Sequence, residues 1–318
     1  MKTLNSLVRV TRRHIALTAT LGLCSPAFGA MVITPTFTAN FNANFGANAA
    51  AAQAAWIAAA NTFTANFNDP ININITVDGV AGTGVFGQSS TFLNSTPYAN
   101  LRNLVVADAK TADDATAIGV GGSMTVADPS GGSTWWVSRA EAKALGLIAN
   151  DLNNDGTTTF GAGNPFTFAG PIAAGTYDFQ GVCAHEISEV MGRLGISGGT
   201  IGSFPNSHSL IDNFAYTGAG VKNINTGPGI NFSIDNGTTL LKLYNNSQAN
   251  GLDSRDWAPA TNDSFNQFSN SGVNNPVSAI DLRLMDVLGY DRVPEPGCGA
   301  LLLAGLVSAA FIRRKSRG

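Results

Sequence analysis

Cys183-Ala184-His185-Glu186-Ile187-Ser188-Glu189-Val190-Met191-Gly192-Arg193 is the stretch on which the reading of this chain turns. Imidazole and glutamate are scarce elsewhere. The 318-residue chain has 3 histidines, and its glutamates are Glu141, Glu186, Glu189 and Glu295. One histidine and two of those glutamates fall between positions 185 and 189. On a helix, residues i and i+4 share a face, so His185 and Glu189 can grip one divalent ion while Glu186, beside them, serves as general base. An amphipathic core helix is the plain alternative. The apolar flanks Phe179, Val182, Ile187, Val190, Met191 and Leu194 supply apolar faces around the polar residues, and Gly192 lies seven residues after His185.

Both ends of the chain read as addresses. Arg9, Arg12 and Arg13 precede an apolar run from Ile15 to Leu23, and Pro26-Ala27-Phe28-Gly29-Ala30 follows. A basic segment, a short apolar segment and a small-x-small site describe a secretory signal peptide over 1–29. At the other end Val293-Pro294-Glu295-Pro296-Gly297 leads into an apolar stretch from Ala300 to Ile312, closed by Arg313, Arg314, Lys315 and Arg317. This tail, 292–318, resembles the PEP-CTERM sorting signal of Gram-negative bacteria. The resemblance implies an exosortase-type sorting enzyme as a partner, transient residence in the inner membrane, and delivery to the cell surface or extracellular matrix. A plain C-terminal membrane anchor is the alternative, since trailing cations also fit a positive-inside stop.

The body between these ends, 30–291, is long enough for a substantial core. Charged residues make up 12% of the chain and the net charge is −3, and no basic stripe runs through the body, so nucleic acid is excluded as an expected partner. Cys183 is the one cysteine of the body, because Cys24 and Cys298 belong to the terminal segments. An internal disulfide is therefore ruled out there, and Cys183 reads as a buried helix residue rather than a ligand.

Periodicity supplies the elements. Trp56, Phe63 and Phe67 recur at helical spacing in an Ala-rich segment, predicting a long helix over 48–67 ended by Asp69-Pro70. Ile71-Asn72-Ile73-Asn74-Ile75-Thr76-Val77-Asp78 alternates as a strand does. The segment 100–107 fits strand or short helix equally. Ser138-Arg139-Ala140-Glu141 has capping-box spacing and opens a helix over 138–148. Strands are expected at 157–160, 164–168, 230–234 and 240–244, and helices at 177–194 and 276–288. Asp151, Asn153 and Asp155 followed by Gly156 look like half of a calcium loop. Ala162 stands where the closing glutamate belongs, so a polar turn is the better reading and calcium the alternative.

The order of these elements resembles the zincin metallopeptidases, and the matrixin-like metzincins among them. More narrowly, the body is similar to a group of PEP-CTERM-bearing metalloproteases. These share the run His185 to Arg193, then Ile211-Asp212-Asn213-Phe214-Ala215-Tyr216, Phe232-Ser233-Ile234-Asp235-Asn236-Gly237, and Asp256-Trp257. The resemblance implies an α+β, zincin-like fold with a long N-terminal helix, a small twisted sheet, an active-site helix and a loop-rich C-terminal part. It implies an exported zinc endopeptidase acting on a peptide or protein substrate, with Glu186 as catalytic base and His185 and Glu189 as metal ligands. The chain departs from metzincins in placing Glu189 at the second-histidine position and Gly195 at the third ligand position. His208, the remaining histidine of the body, and Asp212 are equal candidates for the missing ligand. Arg193 and Tyr216 are candidate oxyanion stabilisers, with ion pair and core aromatic as the favoured alternatives. Met285 is either a methionine under the metal or, preferably, a core residue. A catalytically inactive surface or matrix protein of the same fold is the rival to the peptidase.

Overall fold

The computed structural model describes residues 30–245 and 253–293. The expected signal peptide at 1–29 and the sorting segment from Pro294 onward lie outside the described residues. In chain order the elements begin β1 (Val32–Phe37), α1 (Ala39–Phe45), α2 (Ala49–Asn66), β2 (Asn72–Val80), β3 (Gly87–Thr91) and β4 (Leu93–Thr96). They continue with α3 (Tyr98–Asp108), α4 (Ala112–Ile118), β5 (Trp135–Ser138), α5 (Arg139–Ala144), β6 (Asn154–Gly161), β7 (Phe166–Thr167), β8 (Tyr177–Asp178) and α6 (Phe179–Val190). The later part holds β9 (Gly199–Ile201), β10 (Phe204–Ser209), β11 (Ala215–Gly218), β12 (Val221–Lys222), β13 (Asn231–Phe232), β14 (Lys242–Leu243) and α7 (Ala279–Val287). The protein is of mixed α+β class. Among the described residues no helix is long and apolar enough to cross a membrane.

The main sheet has the order β1-β2-β6-β3. The pairs β1–β2 and β2–β6 are parallel, and β3 closes the edge antiparallel to β6. The alternation of Ile71 to Val77 sets its sidedness: Ile73, Ile75 and Val77 are buried while the residues between them are half-buried. Register puts Ser89 beside Thr158 and Thr91 beside Gly156 on this same inner face. Helices α2 and α6 cover that face and pack on each other. The expected long helix is there as α2, burying Ala52, Ala55, Trp56, Ala59, Ala60 and Phe63 at helical spacing, and Trp56 Nε1 donates to Thr158 Oγ1 of β6 at 3.1 Å. The undecided segment 100–107 is helical, within α3. Both Ser138-x-x-Glu141 and Ser278-x-x-Asp281 form capping boxes, opening α5 and α7.

Smaller sheets follow the orders β4-β5-β10-β9 and β12-β11-β13-β14. The strands expected at 230–234 and 240–244 are shorter than their pattern, Asn231–Phe232 and Lys242–Leu243, and most of the later half is loop. That half folds back through one apolar core with the first, Phe265 stacking on Phe63 at 6.5 Å and Tyr290 packing on Phe67 at 6.0 Å.

The calcium alternative is corrected by the ion pairs around β6. Asp155 is fully buried, with Lys143 Nζ at 2.8 Å and Arg139 Nε at 3.3 Å. Asp151 is bonded by Arg139 and lies 3.2 Å from Lys143 Nζ. Two cations one turn apart on α5 fill the place an ion would take. Asn153 spends its amide on Asp151, at 2.7 Å, and these bonds fasten the start of β6.

Candidate metal centre

Helix α6 is anchored at its start by Phe179, whose ring packs on Phe166 at 4.8 Å and on Phe160 at 5.0 Å. Val182, Cys183, Ile187 and Val190 bury the apolar stripe, each worth about 1.5–3 kcal/mol for the larger side chains. The helix stops because Gly192 takes φ 111°. Gly192 N–H donates to Glu189 O at 2.9 Å and Arg193 N–H to Ser188 O at 3.0 Å, the paired bonds of a Schellman turn. A side chain at Gly192 would also stand 2.7 Å from a Glu141 carboxylate oxygen. The turn sends Arg193 back beneath the helix, where it is buried.

On the opposite side of α6 the polar residues converge. His185 Nε2 lies 3.2 Å from Glu189 Oε1 and 3.6 Å from Asp256 Oδ1. One ligand atom from each of His185, Glu189 and Asp256 falls within 4.8 Å of the others, a set able to hold a metal ion. The orientation of the imidazole is fixed from behind. His185 Nδ1 stands 2.8 Å from the carbonyl of Ser264, an acceptor only, so Nδ1 carries the proton and Nε2 turns to the carboxylates. That is the support metal-binding histidines receive. Glu189 Oε2 accepts from Ser89 Oγ of β3 at 2.7 Å. Asp256 accepts from Arg193 Nη1.

Charge follows geometry. Burial opposes a charged His185, but Asp256 and Glu189 outweigh it and lift its pKa to about 10. A proton therefore sits among these ligands when no ion does. Burial also works against Glu189 as a carboxylate, yet His185 and Arg193 hold its pKa down to about 2. Glu186 is buried beside Glu189, and both facts push its carboxyl well above the usual range. It faces β3 at Gly87, where an added Cβ would meet Glu186 Oε1 at 2.3 Å and Val182 Cγ1 at 2.8 Å. Only glycine lets the edge strand approach the acid this closely.

These residues line a cleft of about 610 Å³. Phe86 and the edge-strand residues Gly87, Gln88 and Ser89 line it, as do Ser264, Asn266 to Ser269 and Asn275. Asp253 stands at its rim, its pKa raised to about 7 by burial and by Glu189 and Asp256.

Of the residues expected from sequence, the structure brings together His185, Glu186 and Glu189. It does not bring His208 or Asp212 to them, and the third residue of the group that could hold an ion is Asp256. Asp212 is consumed elsewhere. It accepts from Ser197 N–H and Arg255 Nε at 2.8 Å each and from Ser209 N–H at 2.9 Å, closing a capping box over the 3-10 turn Leu210–Phe214. His208 sits in β10 paired with Trp135, its ring 5.3 Å from the indole, and burial lowers its pKa. Arg193 serves the carboxylates from below rather than an oxyanion in the cleft. Tyr216 is buried in β11 with Lys222 Nζ 5.3 Å from its ring, and it is absent from the cleft lining. Met285 is fully buried in the core of α7, and Cys183 is a buried free thiol of α6. Asp256, Ser89 and Gly87 carried no role in the sequence reading, although Asp256-Trp257 belongs to the pattern that resembles other chains.

The chain matches no family model, no curated protein and no solved structure.

Proposed function

We propose that the protein is an exported, zincin-like metal-dependent endopeptidase. The observation that carries this reading is the convergence of His185, Glu189 and Asp256 on one point, with Glu186 beside it and an edge strand across from it. The donor set fits a divalent ion: one imidazole nitrogen, Nε2, turned toward two carboxylates, ligands zinc accepts with release of the Nε2 proton. Zinc would be held by these three residues and would supply Lewis acidity and a water of lowered pKa. Glu186 would take the proton of the attacking water, with the bound cation favouring the ionised form of its carboxyl. The outer edge of β3 borders the cleft, and unpaired strand edges accept extended peptide backbone. That supports a peptide or protein substrate lying along Phe86 to Ser89.

Export and surface sorting complete the reading. The basic-apolar-small start and the Pro-Glu-Pro, apolar, Arg-rich finish support passage across the inner membrane, loss of 1–29, and handling of 292–318 by an exosortase-type enzyme. Intact-mass analysis of protein from its native host should find a start near Ala30 and a processed tail; a full-length cytoplasmic product would contradict this.

One observation favours a second reading, an inactive surface protein of the same fold. His185, Glu189, Asp256 and Arg193 form a complete ion-pair network without any metal. Incubation with a mixed peptide pool, before and after chelation and zinc addition, separates the two. Zinc-restored cleavage supports the peptidase; stoichiometric zinc binding with no cleavage of any peptide supports the surface protein.

A further inference from the structure

We propose that Arg193 is a resident counter-ion, a positioning residue that holds Glu189 and Asp256 at ligand spacing while no metal is bound. The inference rests on the metal-centre reading above. Its starting point is a charge imbalance. Glu186, Glu189 and Asp256 are all buried within one small region, and among the described residues no lysine or arginine lines the cleft. Buried carboxylates at such spacing either take up protons or move apart unless a cation joins them.

Arg193 is that cation, and it comes from below rather than from the cleft. Its Nη1 donates to Asp256 Oδ1, the same oxygen that faces His185. Its Nη2 lies 3.5 Å from Glu189 Oε1, and its Nε donates to Ser188 Oγ at 2.8 Å. The guanidinium carbon stands 4.5 Å from the centre of the Phe265 ring. One planar fork thus spans both carboxylates while its face is packed, an arrangement of which an ammonium group keeps the charge but not the fork. The Schellman turn at Gly192 exists in the right place to aim it.

The consequence is a division of labour between two cations. Without metal, Arg193 spans the two carboxylates from below and keeps them in place. With metal, the ion carries most of that work, and Arg193 becomes less important to the fold. A purely packing role for Arg193 would matter equally in both states.

The test is thermal unfolding of the full chain, as wild type, Arg193→Lys and Arg193→Met, each with chelator and with saturating zinc as the probe. In chelator, Arg193→Met is expected to melt about 10 °C below wild type, the scale of a broken buried ion pair. Zinc is expected to recover at least half of that loss beyond the shift it gives wild type, and Arg193→Lys, which keeps the charge, should fall between the two. An identical zinc shift in wild type and Arg193→Met overturns the counter-ion role, as does Arg193→Lys melting with Arg193→Met in chelator. If Arg193→Met does not fold in chelator, refolding with zinc decides: recovery supports the proposal and continued failure overturns it. No zinc shift in wild type removes the metal centre itself, a result distinct from the others.

Discussion

Asp256 and Arg255 are adjacent in sequence and reach different partners: Asp256 Oδ1 faces His185 Nε2 at 3.6 Å in the site, while Arg255 Nε donates to Asp212 at 2.8 Å outside it. The two buried ion pairs this creates, Arg193–Asp256 and Arg255–Asp212, hold one loop segment against α6 on one side and against the 3-10 turn on the other.

The two aspartates should therefore respond differently to the same change. Asp256→Asn is expected to weaken zinc binding by at least about 10-fold, since a ligand is lost. Asp212→Asn should leave zinc affinity near wild type and lower stability by about 3 kcal/mol, because Arg255 stays buried without its carboxylate. Calorimetric titration and denaturant unfolding measure both. Equal zinc affinities in the two variants would count against Asp256 as a ligand.

Glu186→Gln should bind zinc as wild type does and lose cleavage by about 10²–10⁴-fold, because the amide cannot accept a proton. Parent-like turnover with this variant would remove Glu186 from the base role.

How much of this was legible in the sequence depends on whether the contact is local. His185, Glu186 and Glu189 share a helix, so spacing alone places them. Trp56, Phe63 and the Ile71–Val77 alternation likewise foretell which faces are buried. Asp256, the third candidate ligand, meets His185 through a long-range contact, and no local period encodes it. His208 stands out as an imidazole and Asp212 by its place in the resembling pattern, yet Ser209-x-x-Asp212 is itself a capping-box spacing and marks Asp212 as engaged with its own backbone. The calcium alternative at Asp151 to Asp155 failed for a related reason. Arg139 and Lys143, one turn apart on α5, are the partners of those acids, and only the tertiary fold shows that the helix lies over the loop.

Gly87→Ala tests the closeness of the edge strand to the acid. With Cβ 2.3 Å from Glu186 Oε1, either β3 or Glu186 must shift. Stability should fall by about 1–3 kcal/mol, the range for overpacking a filled site. Cleavage should drop more than 10-fold with zinc content unchanged (about 1.4 kcal/mol in the barrier). A fully active Gly87→Ala protein would show that the approach of β3 has no bearing on Glu186.

Stability should also carry a pH signature away from the site. Asp69 is buried and faces the Asp291 carboxylate, and both raise its pKa from 3.8 to about 7. The folded protein then holds this proton more tightly than the unfolded chain. The stabilising contribution is complete below the unfolded value and is lost as pH rises through 7. Asp69→Asn keeps an acceptor for the Asp291 N–H, bonded at 3.0 Å, and should flatten the fall in stability between about pH 4 and 8 by roughly 2–4 kcal/mol. Part of the slope should persist through Asp108, raised to about 8 by burial and by Asp291 and Asp69. Urea unfolding across that range measures it, and an unchanged slope in Asp69→Asn would contradict the assignment.

The most direct measurement is an anomalous difference map at the zinc edge from crystals of the protein grown with zinc. The expected result is one strong peak about 2.0–2.2 Å from His185 Nε2 and from carboxylate oxygens of Glu189 and Asp256, with Glu186 beside it. A map without a peak at these residues, or with the zinc held by His208 and Asp212 instead, would contradict the metal centre described.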